Sequence, residues 1–221
     1  MQAGDILYLA ALDSPSGKAV ESLCRGWQSG FFHLESLDCL RDPAPTTTTG
    51  CILVAAQSAA PMLSAGRDVG FASLPHPAIG IVWQASGPQT VALMRVGLWH
   101  LLFGPTNLGE LARAIADALA EDARRLARRQ RLAAIKTKLA ELAPGERDVL
   151  QLLLLGRTNK SIAKELRLGR RTVEARRARM LRKFQTDNIA ALIHAVAGVH
   201  RENLLAEVMN GNGHGPMQPG E

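Results

Sequence analysis

Residues 1 to about 105 alternate short apolar runs with polar breaks that contain glycine and proline. Four of these runs have the length of β-strands: residues 6–9, 51–54, 79–83 and 98–103. Their almost continuous apolar character is typical of strands that are buried on both faces of a parallel sheet. The segments at residues 18–27 and 89–96 could form helices between them. This alternation predicts a doubly wound α/β domain.

Residues 107–139 change to a helical pattern, with leucine and isoleucine at a broken spacing of three and four residues. The pattern predicts one long helix, or two helices in series, that joins two domains. Its middle, residues 124–131, contains five arginines. These arginines could contact DNA, pair with acidic residues of a partner protein, or form a solvated helix face.

Residues 142–192 carry the start and stop signals of four helices. These signals are, in order, Pro144 and Glu146 for a first turn, Gly156 for a helix end, Thr158 and Gly169 for two caps, and Asp187 for the last cap. The residues expected to face a core are Val149, Leu150, Leu153 and Leu154 on the first helix and Ile189, Leu192, Ile193 and Val196 on the fourth. Together they predict a compact helix-turn-helix fold.

The third of these helices, predicted from residue 170 to about 184, has two different sides. Apolar Val173, Met180 and Phe184 recur on one side and predict its contact with the core. At about 100° per residue, the opposite side carries Glu174, Ala175, Ala178 and Arg182. An exposed helix side of this kind can enter the major groove of DNA.

Charge is distributed unevenly between the two halves. Residues 1–105 contain 5 Lys/Arg and 7 Asp/Glu, a net charge of −2, whereas residues 142–200 contain 12 and 5, a net charge of +7. A concentrated positive field favours a polyanion, because neutralising phosphates releases counterions from DNA. The charge therefore supports double-stranded DNA as the partner.

Composition narrows the remaining function classes. No apolar run approaches the roughly 20 residues that cross a bilayer, and the N-terminus does not resemble a secretion signal, so we expect a cytoplasmic protein without membrane contact. Cys24, Cys39 and Cys51 form no Cys-x-x-Cys pair, which predicts reduced thiols. The histidines do not have the spacing of metal ligands, so we expect no metal site. The sequence has no glycine-rich phosphate loop and no recognisable catalytic constellation, so we expect no cofactor and no enzymatic activity.

Three motifs stand out in the C-terminal part: Leu142-x-Pro-x-Glu146-x-x-Val149-Leu150, Gly156-x-x-Asn159-Lys160-x-Ile162-Ala163 and Thr172-Val173-Glu174-x-x-Arg177-x-x-Met180-x-x-Lys183. They resemble the DNA-binding domain of the LuxR/FixJ family. The resemblance covers about a quarter of the chain and implies a four-helix domain of a transcription factor that binds inverted half-sites as a homodimer. The dimer surface stays open between the linker helix and the fourth helix.

The family pattern also implies a role for individual residues. Base edges would be read by Glu174, Ala175 and Ala178. Phosphates would be bound by Asn159, Lys160, Arg171, Thr172, Arg176, Arg177, Arg179 and Lys183. The chain departs from the pattern at Ala143, Ser161, Arg167, Gly169 and Arg176. The first two departures weaken helix capping by about 1 kcal/mol each, and Arg176 would add a phosphate ligand.

The N-terminal part resembles the receiver domain of FixJ-like response regulators in the order of its elements and in the turn at Gly104-Pro105. A receiver needs acidic residues after its first strand, an aspartate after its third strand and a lysine before the proline. Here only Asp13 follows the first strand, Ala55 stands at the phosphoacceptor position, and Gly104 stands at the lysine position. The sequence therefore predicts a degenerate receiver that is not switched by aspartyl phosphate.

One alternative keeps the same DNA-binding module. In a ligand-sensing, quorum-sensing-like regulator the N-terminal domain would bind a small molecule, whereas a receiver-like domain would bind a protein partner or an effector. The predicted domains are a receiver-like domain at residues 1–120, a helical linker at 121–140, the helix-turn-helix domain at 141–200 and a disordered tail at 201–221.

Overall fold

The computed structural model describes residues 5–25, 30–40 and 47–209. The chain divides into two compact units, Met1–Arg128 and Arg129–Glu221. The division lies within helix α4, which is one unbroken helix from Leu108 to Ala140 and contains the whole of the predicted linker.

The N-terminal unit is a five-stranded sheet with helices on both faces. Its elements are β1 (Ile6–Ala11), α1 (Ser14–Cys24), β2 (Gly30–Leu34), β3 (Gly50–Ser58), α2 (Ala59–Val69), β4 (Ala78–Gln84), α3 (Gly87–Arg95), β5 (His100–Phe103) and the first part of α4. The strand order is β2-β1-β3-β4-β5, and every pairing is parallel. This architecture confirms the predicted doubly wound α/β fold.

Alternate side chains of the strands enter two separate cores. On one face, Leu53 of β3 packs with α1 and α4, whose contributions include Val20 and Ile115. On the other face, Val54 packs with α2 and α3 through residues such as Met62. Because successive strand residues point to opposite faces, a strand buried on both sides reads as a continuous apolar run.

Two elements of this unit were not predicted. Strand β2 lies at the edge of the sheet, its apolar residues are limited to Phe31, Phe32 and Leu34, and Phe32 and His33 are exposed. Helix α2 is rich in small residues and contains Pro61, which its first turn tolerates. Helix α3 begins two residues before the predicted segment 89–96, with Ser86 as its cap and Gly87 and Pro88 in its first turn.

A buried contact between Asp122 and His76 fixes α4 to the end of the sheet at which β3 begins. Asp122 of α4 accepts a hydrogen bond from the Gly50 amide at 2.9 Å, and its Oδ2 lies 2.7 Å from Nδ1 of His76. The two side chains are 0% and 1% exposed. This contact fixes the position of α4 relative to the beginning of β3.

The C-terminal unit contains α5 (Pro144–Leu154), α6 (Asn159–Glu165), α7 (Arg170–Phe184) and α8 (Ile189–Met209). Its core is formed mainly by Leu142, Val149, Leu150, Leu153, Ile162, Val173, Met180, Leu192 and Val196. The helix limits at Gly156, Thr158 and Gly169 follow the predicted signals. In the part of the chain that the structure describes, no helix is both long and apolar enough to span a membrane.

Three expectations for this unit need correction. Leu154 is 41% exposed, and Leu152 is buried in its place. The buried side of α5 therefore includes residue 152 and excludes residue 154. The amide of Ala190 donates to Asn188 at 2.8 Å, so Asn188 rather than Asp187 caps α8. Helix α8 continues to Met209, within the range expected to be a disordered tail, and residues 210–221 lie outside the described residues.

The turn between α6 and α7 forces one non-glycine residue into an unfavourable backbone conformation. Arg167 has a φ of 54°, in the left-handed region. The turn closes with the Leu168 amide donating to the carbonyl of Ala163 at 2.8 Å. Glycine reaches this region at little cost, whereas a side chain is disfavoured there.

We therefore expect Arg167→Gly to raise the free energy of unfolding of the C-terminal unit by about 1 kcal/mol. Urea unfolding followed by far-ultraviolet circular dichroism measures this change. Gly156→Ala is the matched control, because Gly156 has a φ of 73° and open space around it. It should lower the stability by a similar amount, and an unchanged or lower stability of Arg167→Gly would contradict the account.

Candidate nucleic-acid interface and the receiver-type positions

Helix α7 presents one buried and one exposed side. Val173 and Met180 are 0% exposed and anchor the helix in the core. The exposed residues on the opposite side are Arg171, Glu174, Ala175, Ala178 and Arg182. The three residues that the sequence assigns to base edges are therefore exposed together on one strip of the helix.

Basic residues flank this exposed strip on both margins. At about 100° per residue, Arg170 and Arg177 lie on one margin, and the other margin carries Thr172, Arg176, Arg179 and Lys183. Arg171 differs from its predicted grouping, because it lies within the central strip, between the directions of Glu174 and Ala175. In total, α7 carries six arginines and one lysine against a single glutamate.

The first margin forms a cationic cavity with α6. Arg177 is half-buried and donates from Nη1 to Oδ1 of Asn159, the first residue of α6. The cavity has a volume of 610 Å³, and four cationic residues line it: Arg157, Lys160, Arg170 and Arg177. Four cationic side chains around one open space fit a phosphate group.

Two members of this cavity were not predicted. Arg170 is the first residue of α7, and Arg157 follows the Gly156 turn, so both stand at helix limits that the sequence already marks. A search for cations next to predicted helix ends would have found them. Thr158, which accepts a hydrogen bond from the Ser161 amide at 3.3 Å, fixes the start of α6 beside the cavity.

Lys183 lies on the second margin and has partners within the protein. Its ammonium donates to Oε2 of Glu146 at 2.8 Å and to the carbonyl of Glu141 at 3.0 Å. A phosphate contact by Lys183, as the sequence predicts, would have to share or replace these bonds. The contact links α7 to the first turn of α5.

Glu146, which accepts the hydrogen bond from Lys183, is a buried carboxylate. Its side chain is 4% exposed and also accepts a hydrogen bond from the Ala143 amide at 3.0 Å. Burial alone raises the pKa of Glu146, but the bonds from Lys183 and Ala143 and the charges of Lys183 and Arg179 together lower it below its ordinary value. Ala143 itself offers no side-chain cap, as expected from its departure from the family pattern.

Arg176 also turns toward α5. It is half-buried, and its Nη1 donates to the carbonyl of Gly145 at 3.0 Å. The residues predicted to bind phosphate thus fall into three groups. Asn159, Lys160 and Arg177 meet at one cavity, Arg171, Thr172 and Arg179 are exposed on α7, and Arg176 and Lys183 contact α5.

Part of the arginine-rich stretch of α4 is already paired. Arg124 and Arg125 lie 2.9 Å and 3.1 Å from the carboxylate of Glu121. The guanidinium of Arg125 also lies 5.6 Å from the centre of the Trp99 ring. These contacts agree best with a solvated helix face at these two positions.

Two of the receiver-type positions, Asp13 and Gly104, follow strands β1 and β5, but β3 continues past residue 55 to Ser58, so Ala55 lies within this strand and not after it as the sequence predicts. Ala55 is 0% exposed within β3, where it pairs with Ala11 of β1 and Ile81 of β4. Asp13 caps α1 by accepting a hydrogen bond from the Ser16 amide at 2.9 Å, and it also accepts one from the Gln57 amide at 2.6 Å. The carboxylate of Asp13, which in a receiver would lie beside the phosphoacceptor, therefore accepts hydrogen bonds from two backbone amides.

The Gly104 position is filled from the neighbouring strand. An ideal β-carbon at Gly104 would lie 2.5 Å from both Cδ2 and Nε1 of Trp83. The indole of Trp83 packs against the core that includes Ala55. A lysine at Gly104 could not be accommodated unless Trp83 moved.

Comparison with known proteins identifies the C-terminal unit. Residues 140–196 match the family model described as bacterial regulatory proteins, luxR family. The C4-dicarboxylate transport transcriptional regulatory protein DctR of Rhodobacter capsulatus is 30% identical over 151 residues, which are 67% of this chain and 77% of that protein. The transcriptional regulatory protein FixJ of Bradyrhizobium diazoefficiens is 30% identical over 120 residues, 54% of this chain and 58% of FixJ.

A solved structure extends the likeness in fold over most of the chain. The response regulator StyR matches with a TM-score of 0.67 and 24% identity, and the match covers 88% of this chain and 99% of StyR. At this identity the match concerns the fold alone. It agrees with a receiver-like α/β unit followed by a helical unit.

The lowered pKa of Glu146 predicts that acid destabilises the C-terminal unit. The stabilisation from this carboxylate is present above its ordinary pKa of 4.5 and is lost as the pH falls through the lower folded pKa. Glu146→Gln should lower the free energy of unfolding at neutral pH by about 1–2 kcal/mol and reduce its fall toward acid pH. Urea unfolding at a series of pH values measures both effects.

The exposed Glu165 provides the control. Glu165→Gln should leave the pH dependence as in the wild type. Equal behaviour of the two variants would contradict the role assigned to Glu146.

Proposed function

Because this chain belongs to the LuxR family of bacterial regulatory proteins, we propose that it is a sequence-specific regulator of transcription that reads double-stranded DNA with α7. The observation that carries this proposal is the exposed strip of α7 with basic residues on both margins. A strip of this shape fits the major groove, whose walls are the two phosphate backbones. Its rotation is set by buried Val173 and Met180.

The exposed strip of α7 would recognise the DNA sequence, and the basic margins would bind the DNA backbone. Glu174 can accept a hydrogen bond from cytosine, and the methyl groups of Ala175 and Ala178 can contact thymine. The cationic cavity around Arg177 and the exposed Arg179 would bind phosphates and fix the register. Arg171 lies in the strip and has the geometry to reach a guanine edge as well as a phosphate.

We propose a homodimer as the active form. One α7 reads only a few base pairs, and two copies related by a twofold axis read a longer, inverted site. Exposed apolar side chains on the N-terminal unit supply area that a second copy could cover: Val91, Met94, Phe103 and Leu108. A protein partner of the N-terminal unit could cover the same apolar side chains.

We further propose that DNA binding does not depend on aspartyl phosphate. Buried Ala55 has no group to accept a phosphoryl, Asp13 holds backbone amides, and Trp83 fills the space beside Gly104. The relatives, which are named as transcriptional regulatory proteins of the DctR and FixJ type, favour a receiver-like unit over the ligand-sensing alternative.

The DNA proposal predicts the effect of single substitutions in α7. Arg177→Ala should weaken binding to all duplexes alike and flatten the slope of log affinity against log salt by about one unit. Glu174→Gln should instead change the sequence preference and leave the slope as it is. Fluorescence anisotropy with duplexes of different sequence, over a salt series, distinguishes the two.

Arg113→Ala is the matched control, because Arg113 is exposed on α4 within the N-terminal unit. This variant should bind as the wild type does. If the wild type shows no salt-dependent affinity for duplex DNA, the proposed function is wrong.

Phosphorylation independence has its own test. Incubation of the full chain with a labelled small phosphodonor and Mg²⁺ should leave no acid-stable, hydroxylamine-sensitive label, because the chain lacks the acceptor carboxylate at residue 55. DNA affinity should be the same with and without the donor. An acyl-phosphate label together with a rise in affinity would overturn this part of the proposal.

A further inference from the structure

The contact between Arg176 and Gly145 joins two helices through a feature that the family pattern does not predict. Arg176 departs from that pattern, and its guanidinium donates to the carbonyl of Gly145 at 3.0 Å. Gly145 lies in the first turn of α5, whereas Arg176 lies in the middle of α7. The two residues are 31 positions apart in the sequence.

Gly145 leaves the space that the guanidinium occupies. An ideal β-carbon at Gly145 would lie 2.5 Å from Cζ and 2.8 Å from Nη2 of Arg176. Any side chain at residue 145 would therefore displace the guanidinium. The displaced atoms are the tip of a flexible side chain, so a methyl group at residue 145 makes no clash with the backbone of α7.

A second contact joins the same two helices. Glu146 follows Gly145 in α5, and Lys183 lies seven residues, or about two turns, after Arg176 on the same margin of α7. Lys183 donates to Oε2 of Glu146 at 2.8 Å. The two contacts fasten one margin of α7 to α5 at two points, and two points fix a direction as well as a distance.

We propose that Arg176 is a positioning residue for DNA recognition, and that it is not the phosphate ligand that the sequence pattern predicts. Seated against Gly145, it fixes the angle at which α7 leaves the core and thereby the direction of the strip of Glu174, Ala175 and Ala178. This inference rests on the proposed function and adds a role for one residue to it. The half-buried guanidinium, already bonded to a carbonyl, sets Arg176 apart from the exposed Arg179.

Gly145→Ala separates the two roles of Arg176. The new methyl group expels the guanidinium from its seat but keeps its charge on α7, and alanine favours the helix more than glycine does. The DNA affinity of the full chain is measured by anisotropy on one duplex over a salt series for the wild type, Gly145→Ala, Arg176→Ala, the double variant and Arg177→Ala. Circular dichroism melting checks that each variant is folded at the assay temperature.

For a positioning residue, Gly145→Ala and Arg176→Ala should both weaken binding by roughly three- to tenfold. Both should keep the salt slope of the wild type. The double variant should be no weaker than either single variant, because both substitutions remove the same contact. Arg177→Ala should flatten the slope by about one unit.

The inference is wrong if Arg176→Ala flattens the slope by about one unit while Gly145→Ala binds as the wild type, since Arg176 then contacts phosphate. It is equally wrong if neither variant changes the affinity. Both outcomes leave the proposed function intact, because the wild type and Arg177→Ala test DNA binding separately. Should Arg176→Ala fail to fold, Gly145→Ala decides alone, with weaker binding at an unchanged slope as the supporting result.

Discussion

The arrangement of the DNA-facing surface depends on the burial of Val173 and Met180 in the core of α5 to α8. These two side chains are seven residues, or about two helical turns, apart. They therefore anchor the same side of α7 in the core at two points along the helix. Once that side is buried, the rotation of the helix is determined. The direction of every other residue then follows from its place in the sequence. The rotation of the exposed strip and of its basic margins about the axis of α7 is therefore a consequence of core packing, whereas the Arg176–Gly145 contact is proposed to fix the angle at which α7 leaves the core.

Local signals explain why the C-terminal unit could be predicted so closely from the sequence. Gly156, Thr158 and Gly169 act on their own helix ends, and the apolar spacing of α7 needs no knowledge of its partners. The contacts of Arg176 and Lys183 could not be predicted, because Gly145 and Glu146 lie 31 and 37 residues away in the sequence. The same limit applies to Leu154, whose exposure depends on where the neighbouring helices leave space, and to β2, whose place at the sheet edge depends on its pairing with β1.

The N-terminal unit keeps a complete core at the positions where a receiver would carry charged groups. Ala55 and Trp83 belong to one apolar cluster, and the hydrogen bonds of Asp13 stabilise the start of α1 and the end of β3. Burying apolar groups there avoids the cost of desolvating carboxylates without partners. The order of strands and helices could be predicted because it depends on apolar runs alone. The filling of the Gly104 position by Trp83 could not, since it depends on the register of two neighbouring strands.

Selection of binding sites from a random pool of duplex DNA by the unphosphorylated chain would show whether α7 reads a DNA sequence. The account predicts enrichment of an inverted repeat whose half-site centres lie about one DNA turn apart, roughly 10–10.5 base pairs. Enrichment should occur without any phosphodonor. A selected pool with no motif beyond the starting pool, at a salt concentration where the chain is folded, would contradict the claim that α7 reads sequence.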